Sequence, residues 1–160
     1  MTPVTHWIVV ADSSTATVYS GNAALDDLRP IHRLAHPASR LAARDLVTDD
    51  RGRTRAFGGG ARSATEPHHT PHEVEVQAFA HEIAQHLRKG LVEHAYEGLV
   101  LVAPPAFLGR LKLEIDIRTT DRVVGTVAHD YVHAAPADLG DLLRRQLRER
   151  DPVRWAPSRS

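Results

Sequence analysis

The sequence predicts an α/β protein, with a single mixed sheet and helices packed on it. Three observations carry that prediction. Residues 6–37 hold three short apolar or alternating segments in succession, with no helical period among them. From Glu73 the apolar spacing becomes helical. Helical stripes then alternate with the apolar runs 97–105 and 121–132, the pattern left by strands joined through crossover helices.

Each element has its own warrant. "HWIVVAD" (6–12) is a short β-branched run ending in an acid and reads as a buried strand. "SSTATVYSG" (13–21) alternates and stops at glycine, so it reads as a second strand joined by a tight turn. "DLRPIHRLAHP" (27–37) carries Leu28, Ile31 and Leu34 and reads as an edge strand, because Pro30 cannot donate to a ladder. Residues 38–72 form a long basic, glycine-rich loop with few apolar residues. Over 73–94, Val76, Phe79, Ala80, Ile83, Leu87 and Leu91 recur at helical spacing, and Gly90 is read as the point where that helix weakens. "EGLVLVAPP" (97–105) is apolar throughout, as a strand covered on both faces is. Pro105 opens a further helix with Phe107, Leu108, Leu111 and Ile115 as its stripe. "DRVVGTVAHDYV" (121–132) is the last strand, with Gly125 at a bulge. Pro136 and Asp138 start a final helix that turns Leu139, Leu142, Leu143 and Leu147 inward. Arg144, Arg145, Arg148 and Arg150 gather near its end, where cations suit the helix dipole.

The order is βββ-loop-αβαβα, and right-handed crossovers leave few arrangements for it. It is the order of ribonuclease H-like folds. Residues 1–150 read as one domain and 151–160 as a flexible tail. At 160 residues and 42% apolar content the chain can build a sizeable core. Its formal net charge is +0, so any electrostatic recognition must come from local clusters. There is no cysteine, hence no disulfide or thiolate chemistry. The N-terminus has no signal-peptide pattern and no stretch reaches membrane-span length, so a cytoplasmic protein with no membrane partner is expected.

One cluster stands out. Arg51, Arg53, Arg55 and Arg62 fall within a twelve-residue window, 51–62, that holds no acid. Arginine forks match phosphate oxygens. Gly58, Gly59 and Gly60 let backbone N–H groups approach a polyanion closely, and Phe57 can stack on a base. Asp45, Asp49 and Asp50 are the competing partners for these arginines.

Other chemistry is thinner. His68, His69 and His72 are weak metal candidates, without a recognised ligand spacing or a compelling fourth ligand. "HEIAQH" places His81 and His86 five apart, where a zinc-protease helix needs four. Asp12, with Asp116 and Asp130 as candidate partners, is where a two-metal nuclease would place its acids, but nothing in their spacing demands it, and Asp12 more simply starts a turn that accepts from the Ser13 and Ser14 amides. The two serines lack a nucleophile elbow. No catalytic residue and no cofactor is expected.

"HWIVVADSSTATVYSG", "HPASRLAARDLVTDDRGRTRAFGGG" and "LVLVAPPAFLGRLK" together resemble the bacterial host attachment protein family over about residues 6–134. More distantly, the element order and the basic glycine-rich loop before a long helix are similar to the middle domain of archaeal and eukaryotic peptide release factors. There the loop carries Gly-Gly-Gln. Here the matching tripeptide is Gly59-Gly60-Ala61 or Gly58-Gly59-Gly60, and the nearest glutamine, Gln77, falls in the helix. The resemblance implies a non-catalytic, translation-associated module that contacts the ribosome or tRNA. An interaction protein for host or surface attachment is the first alternative, and a metal-dependent hydrolase or nuclease the second.

Overall fold

The structure, a computed structural model, describes residues 4–38 and 70–156. Strands β1 (His6–Ala11), β2 (Thr15–Gly21) and β3 (Arg29–Ala35) come first. After them run α1 (Pro71–Val92), β4 (Gly98–Val102), α2 (Pro105–Glu114), the one-turn α3 (Ile117–Thr120), β5 (Val123–Val127) and α4 (Pro136–Arg150). They build one mixed five-stranded sheet in the order β3-β2-β1-β4-β5. β2 is antiparallel to both neighbours, while β1, β4 and β5 are parallel. The α/β class and the single mixed sheet match the sequence pattern.

The local chemistry explains the pairing. β1 and β4 are buried at every position, as near-continuous apolar runs must be when helices cover both faces. β3 lies at the edge, where Pro30 is tolerated, and its register against β2 shifts between Val18 and Tyr19. Val123 sits opposite Leu99 and Gly125 opposite Val100, so Val124 is the extra residue of a bulge beside the glycine.

The core has two layers. On one face α1 and α2 bury Phe79, Ile83, Leu87, Phe107 and Leu111 against Trp7, Val9, Val18, Leu99 and Leu101. On the other, α4 buries Leu139, Leu143 and Leu147 against Ile8, Val10, Val100 and Val102. Each fully buried leucine of this kind contributes about 1.5–3 kcal/mol through transfer from water. Trp155, beyond α4, is half-buried against the second layer, and its carbonyl accepts from Arg148 Nε at 3.0 Å.

Several boundaries differ from the sequence reading. α1 begins at Pro71 because Thr70 caps it: the Thr70 hydroxyl accepts from Glu73 N at 3.1 Å and Glu73 reaches back to Thr70 N. Gly90 does not weaken α1. It lies inside the helix, where a Cβ would stand 2.6 Å from the Trp7 ring, so glycine is there for close packing. α2 ends at Glu114, and Asp116 starts the separate α3 by accepting from Thr119 N at 2.8 Å. β5 stops at Val127, and Asp130 turns the chain instead of extending the strand. Leu142 is half-buried rather than a full core residue.

The β2–β3 connection is tied to α4. Leu25 and Asp27 adopt positive φ (61° and 53°), and Leu25 is fully buried. The Arg144 guanidinium donates to Leu25 O at 2.9 Å and to Ala24 O at 3.2 Å, holding the strained turn in place. Among the described residues no helix is long and apolar enough to cross a membrane.

Candidate functional site

In an open α/β sheet, ligands favour the crevice at the carboxyl ends of the parallel strands. At that end of this sheet the chain leaves β1 at Asp12, β3 at His36, β4 at Ala103 and β5 at Ala128. The described chain stops at Ala38 and resumes at Thr70, on the two flanks of the same end.

Asp12 is built into a turn. Its Oδ1 accepts from Ser14 N at 2.8 Å and Thr15 N at 2.7 Å, and from both hydroxyls at 3.2 Å. The accepted amides are therefore those of Ser14 and Thr15, one residue later than the sequence reading placed them. Burial pushes the Asp12 carboxyl up, but the four hydrogen bonds outweigh it and hold the group below its ordinary 3.8. The group is ionised and engaged at neutral pH.

His36 closes the other side. Its amide donates to Ser14 O at 2.8 Å, which continues the β2–β3 ladder. Its ring stacks on Phe79 with centroids 5.6 Å apart, and puts Nε2 2.6 Å from Glu75 and Nδ1 3.6 Å from Glu82. Both ring nitrogens face carboxylates, so this imidazole clips β3 to α1 and is not left free as a base. Glu75, Phe79 and Glu82 stand at i, i+4 and i+7 on α1, one helical stripe. That spacing was present in the sequence, but its partner His36 lies 39 residues before Glu75. Across the sheet end, His129 stacks on Tyr131 at 5.3 Å and 10°.

The residues read from sequence as nucleic-acid-binding, Arg51, Arg53, Arg55, Phe57, Gly58, Gly59, Gly60 and Arg62, lie outside the described residues, as do His68 and His69. His72 sits in the first turn of α1. Among the described residues no group of three or more His, Cys, Asp or Glu is arranged to hold a metal ion. The nuclease set does not assemble. Asp12 is at the carboxyl end of β1, whereas Asp116 caps α3 at the opposite end, beside Tyr96 and Arg88, just before β5. Asp130 accepts from Val132 N at 3.3 Å in its own turn. Ser14 belongs to the Asp12 turn, and His81 faces Glu114 at 3.3 Å between α1 and α2. Among the described residues the geometry thus offers a scaffold with a well-fixed end, in which Ser14 serves the Asp12 turn and His81 faces Glu114.

A family model described as "Protein required for attachment to host cells" matches residues 7–143. No curated protein matches the chain.

Proposed function

The chain belongs to the family of proteins required for attachment to host cells, and from that premise we propose that it is a non-catalytic cytoplasmic module that binds ribosomal RNA or tRNA. Arg51, Arg53, Arg55 and Arg62 supply the phosphate contacts, Gly58, Gly59 and Gly60 the close backbone approach, and Phe57 a stacking face. The observation that supports this reading most is positional. The acid-free window 51–62 belongs to a stretch whose two flanks meet at the carboxyl ends of the parallel strands, held there by the His36–Glu75 clip. Ligands of open α/β sheets gather at that end. The strand order, with β2 antiparallel to the rest, also supports the ribonuclease H-like reading and the distant likeness to release-factor middle domains.

The test is binding to purified ribosomes and to tRNA at two salt concentrations. Four phosphate contacts on single-stranded nucleic acid give a log–log salt slope of about −2.8, so a fourfold rise in salt weakens binding about 50-fold. Changing all four arginines to alanine should abolish most binding and flatten that slope. Unchanged affinity in the quadruple variant rules the stretch out as the contact.

The family description favours a second reading, an interaction protein that acts in attachment itself. Cell fractionation separates the two, since attachment at a surface requires the protein on the exterior.

A further inference from the structure

His32 on β3 and His86 on α1 meet edge to face, with ring centroids 4.6 Å apart. His86 also lies nearly flat against Trp7 at 5.8 Å, and Trp7 in turn touches His32 at 5.7 Å and Tyr96 at 4.8 Å. Four rings from β1, β3, α1 and the segment before β4 therefore share one packed cluster. Inside it His86 Nε2 is buried and has no hydrogen-bond partner among the described residues. The neutral ring can leave that nitrogen bare by carrying its hydrogen on Nδ1, whereas the charged ring carries hydrogens on both nitrogens and leaves an N–H there without an acceptor.

The surroundings offer that charge little help. β3 contributes His32, itself a base, and α1 contributes Lys89, Glu93 and, one turn back, Glu82. Trp7 and the neutral Tyr96 bring no charge. Burial first, then His32 and Lys89, hold His86 below its ordinary 6.5, and Glu93 opposes them more weakly.

β3 is the element best placed to yield. It is the outermost strand, and all but Leu34 of its residues are exposed. Such an edge opens locally at low cost. Its far end behaves differently. There His36 stands between Glu75 and Glu82, with Nε2 2.6 Å from the first and Nδ1 3.6 Å from the second, and ties that end of the strand to α1.

We propose that His86 is an acid-sensitive latch on the edge strand: the charged ring, which must carry a hydrogen on Nε2, is accommodated when the His32 end of β3 lifts from α1, while the His36 end stays clipped as the pivot. Acid then exposes Trp7 and loosens the outer edge of the sheet without unfolding the rest. The device is independent of the arginine-rich stretch.

Amide hydrogen exchange between pH 7.5 and 5, corrected for the intrinsic rate, tests it. Opening of Arg29–Arg33 should rise by up to about tenfold per pH unit below 6.5, as one linked proton requires, while β4 and α2 keep their protection. His86→Phe keeps a ring in the cluster and should remove the acid response. The same pH slope in His86→Phe overturns the proposal. A second measurement decides even if that variant fails to fold: ¹⁵N imidazole spectra of the wild-type chain. Proton uptake by His86 below its ordinary range and in step with β3 opening supports the latch. Uptake near 6.5 with β3 fully protected overturns it.

Discussion

Replacing Gly90 with alanine sets two effects of known size against each other. Alanine is favoured over glycine in a helix by at most about 1 kcal/mol. Against that, the new Cβ would stand 2.6 Å from both Cη2 and Cζ3 of Trp7 and 3.1 Å from Tyr96. Ordinary carbon contacts begin near 3.5 Å, so the indole must retreat by almost an ångström. It has no room to do so: Trp7 is 5% exposed and bounded by His86 on one side and Tyr96 on the other. Overpacking of this kind costs about 1–3 kcal/mol, and a clash with two atoms of a boxed ring belongs in the upper half of that range. The net expectation is a loss of about 1–2 kcal/mol, or roughly 2–8 °C in Tm for a chain of this size. Gly109→Ala is the matched control. It lies in the middle of α2 with nothing within 4 Å of its Cβ, so the propensity gain stands alone and stability should rise by up to about 1 kcal/mol. Urea unfolding of the two variants beside the parent gives both numbers. If Gly90→Ala is as stabilising as Gly109→Ala, the packing argument is wrong.

Two further predictions follow from hydrogen bonds at the ends of the sheet. Asp12→Ala leaves the amides of Ser14 and Thr15 without their acceptor and should cost about 1–2 kcal/mol at pH 7. Because the folded carboxyl titrates below 3.8, its contribution is complete above that value and is lost as pH falls through the lower folded value, so the deficit of Asp12→Asn should shrink in acid unfolding curves. Tyr96 donates to Leu87 O at 2.6 Å and burial pushes its hydroxyl up to about 12. In an absorbance titration, one of the 3 tyrosines should therefore stay protonated past pH 11, and Tyr96→Phe should remove that late component. Ionisation of all three near pH 10 with the fold intact would contradict it.

What could be read in advance depended on whether the signal was local. β4 announces itself through five consecutive apolar residues, and α1 through a stripe that runs from Val76 to Leu91. Pro30 and Gly125 mark an edge and a bulge because each changes the backbone at its own position. Gly90 misleads for the opposite reason. Its meaning comes from Trp7, far away in the chain, and without that contact a glycine late in a helix reads only as weakness. α3 has no signal of its own in the sequence: Ile115 continues the apolar spacing of α2, and only the extended backbone at Ile115 and Asp116 shows where one helix ends and the next begins. The His36 clip and the His32–His86 contact each join a strand to a helix across the arginine-rich stretch, so no window on the sequence contains both partners. Of the candidate site, the Asp12 turn was visible, shifted by one residue, and the arginine cluster was visible as composition alone.

The clip between His36 and Glu75 has a consequence for how this fold can vary. The described frame itself pins His36 to Glu75 and so fixes where the 39–69 stretch leaves and rejoins; for any flexible connection between fixed ends, doubling the length costs about 0.6 kcal/mol in closure entropy. The sheet and its helices act as a mount onto which unlike cargo can be spliced. A short graft joining residue 38 to residue 70 tests whether the frame stands by the clip alone.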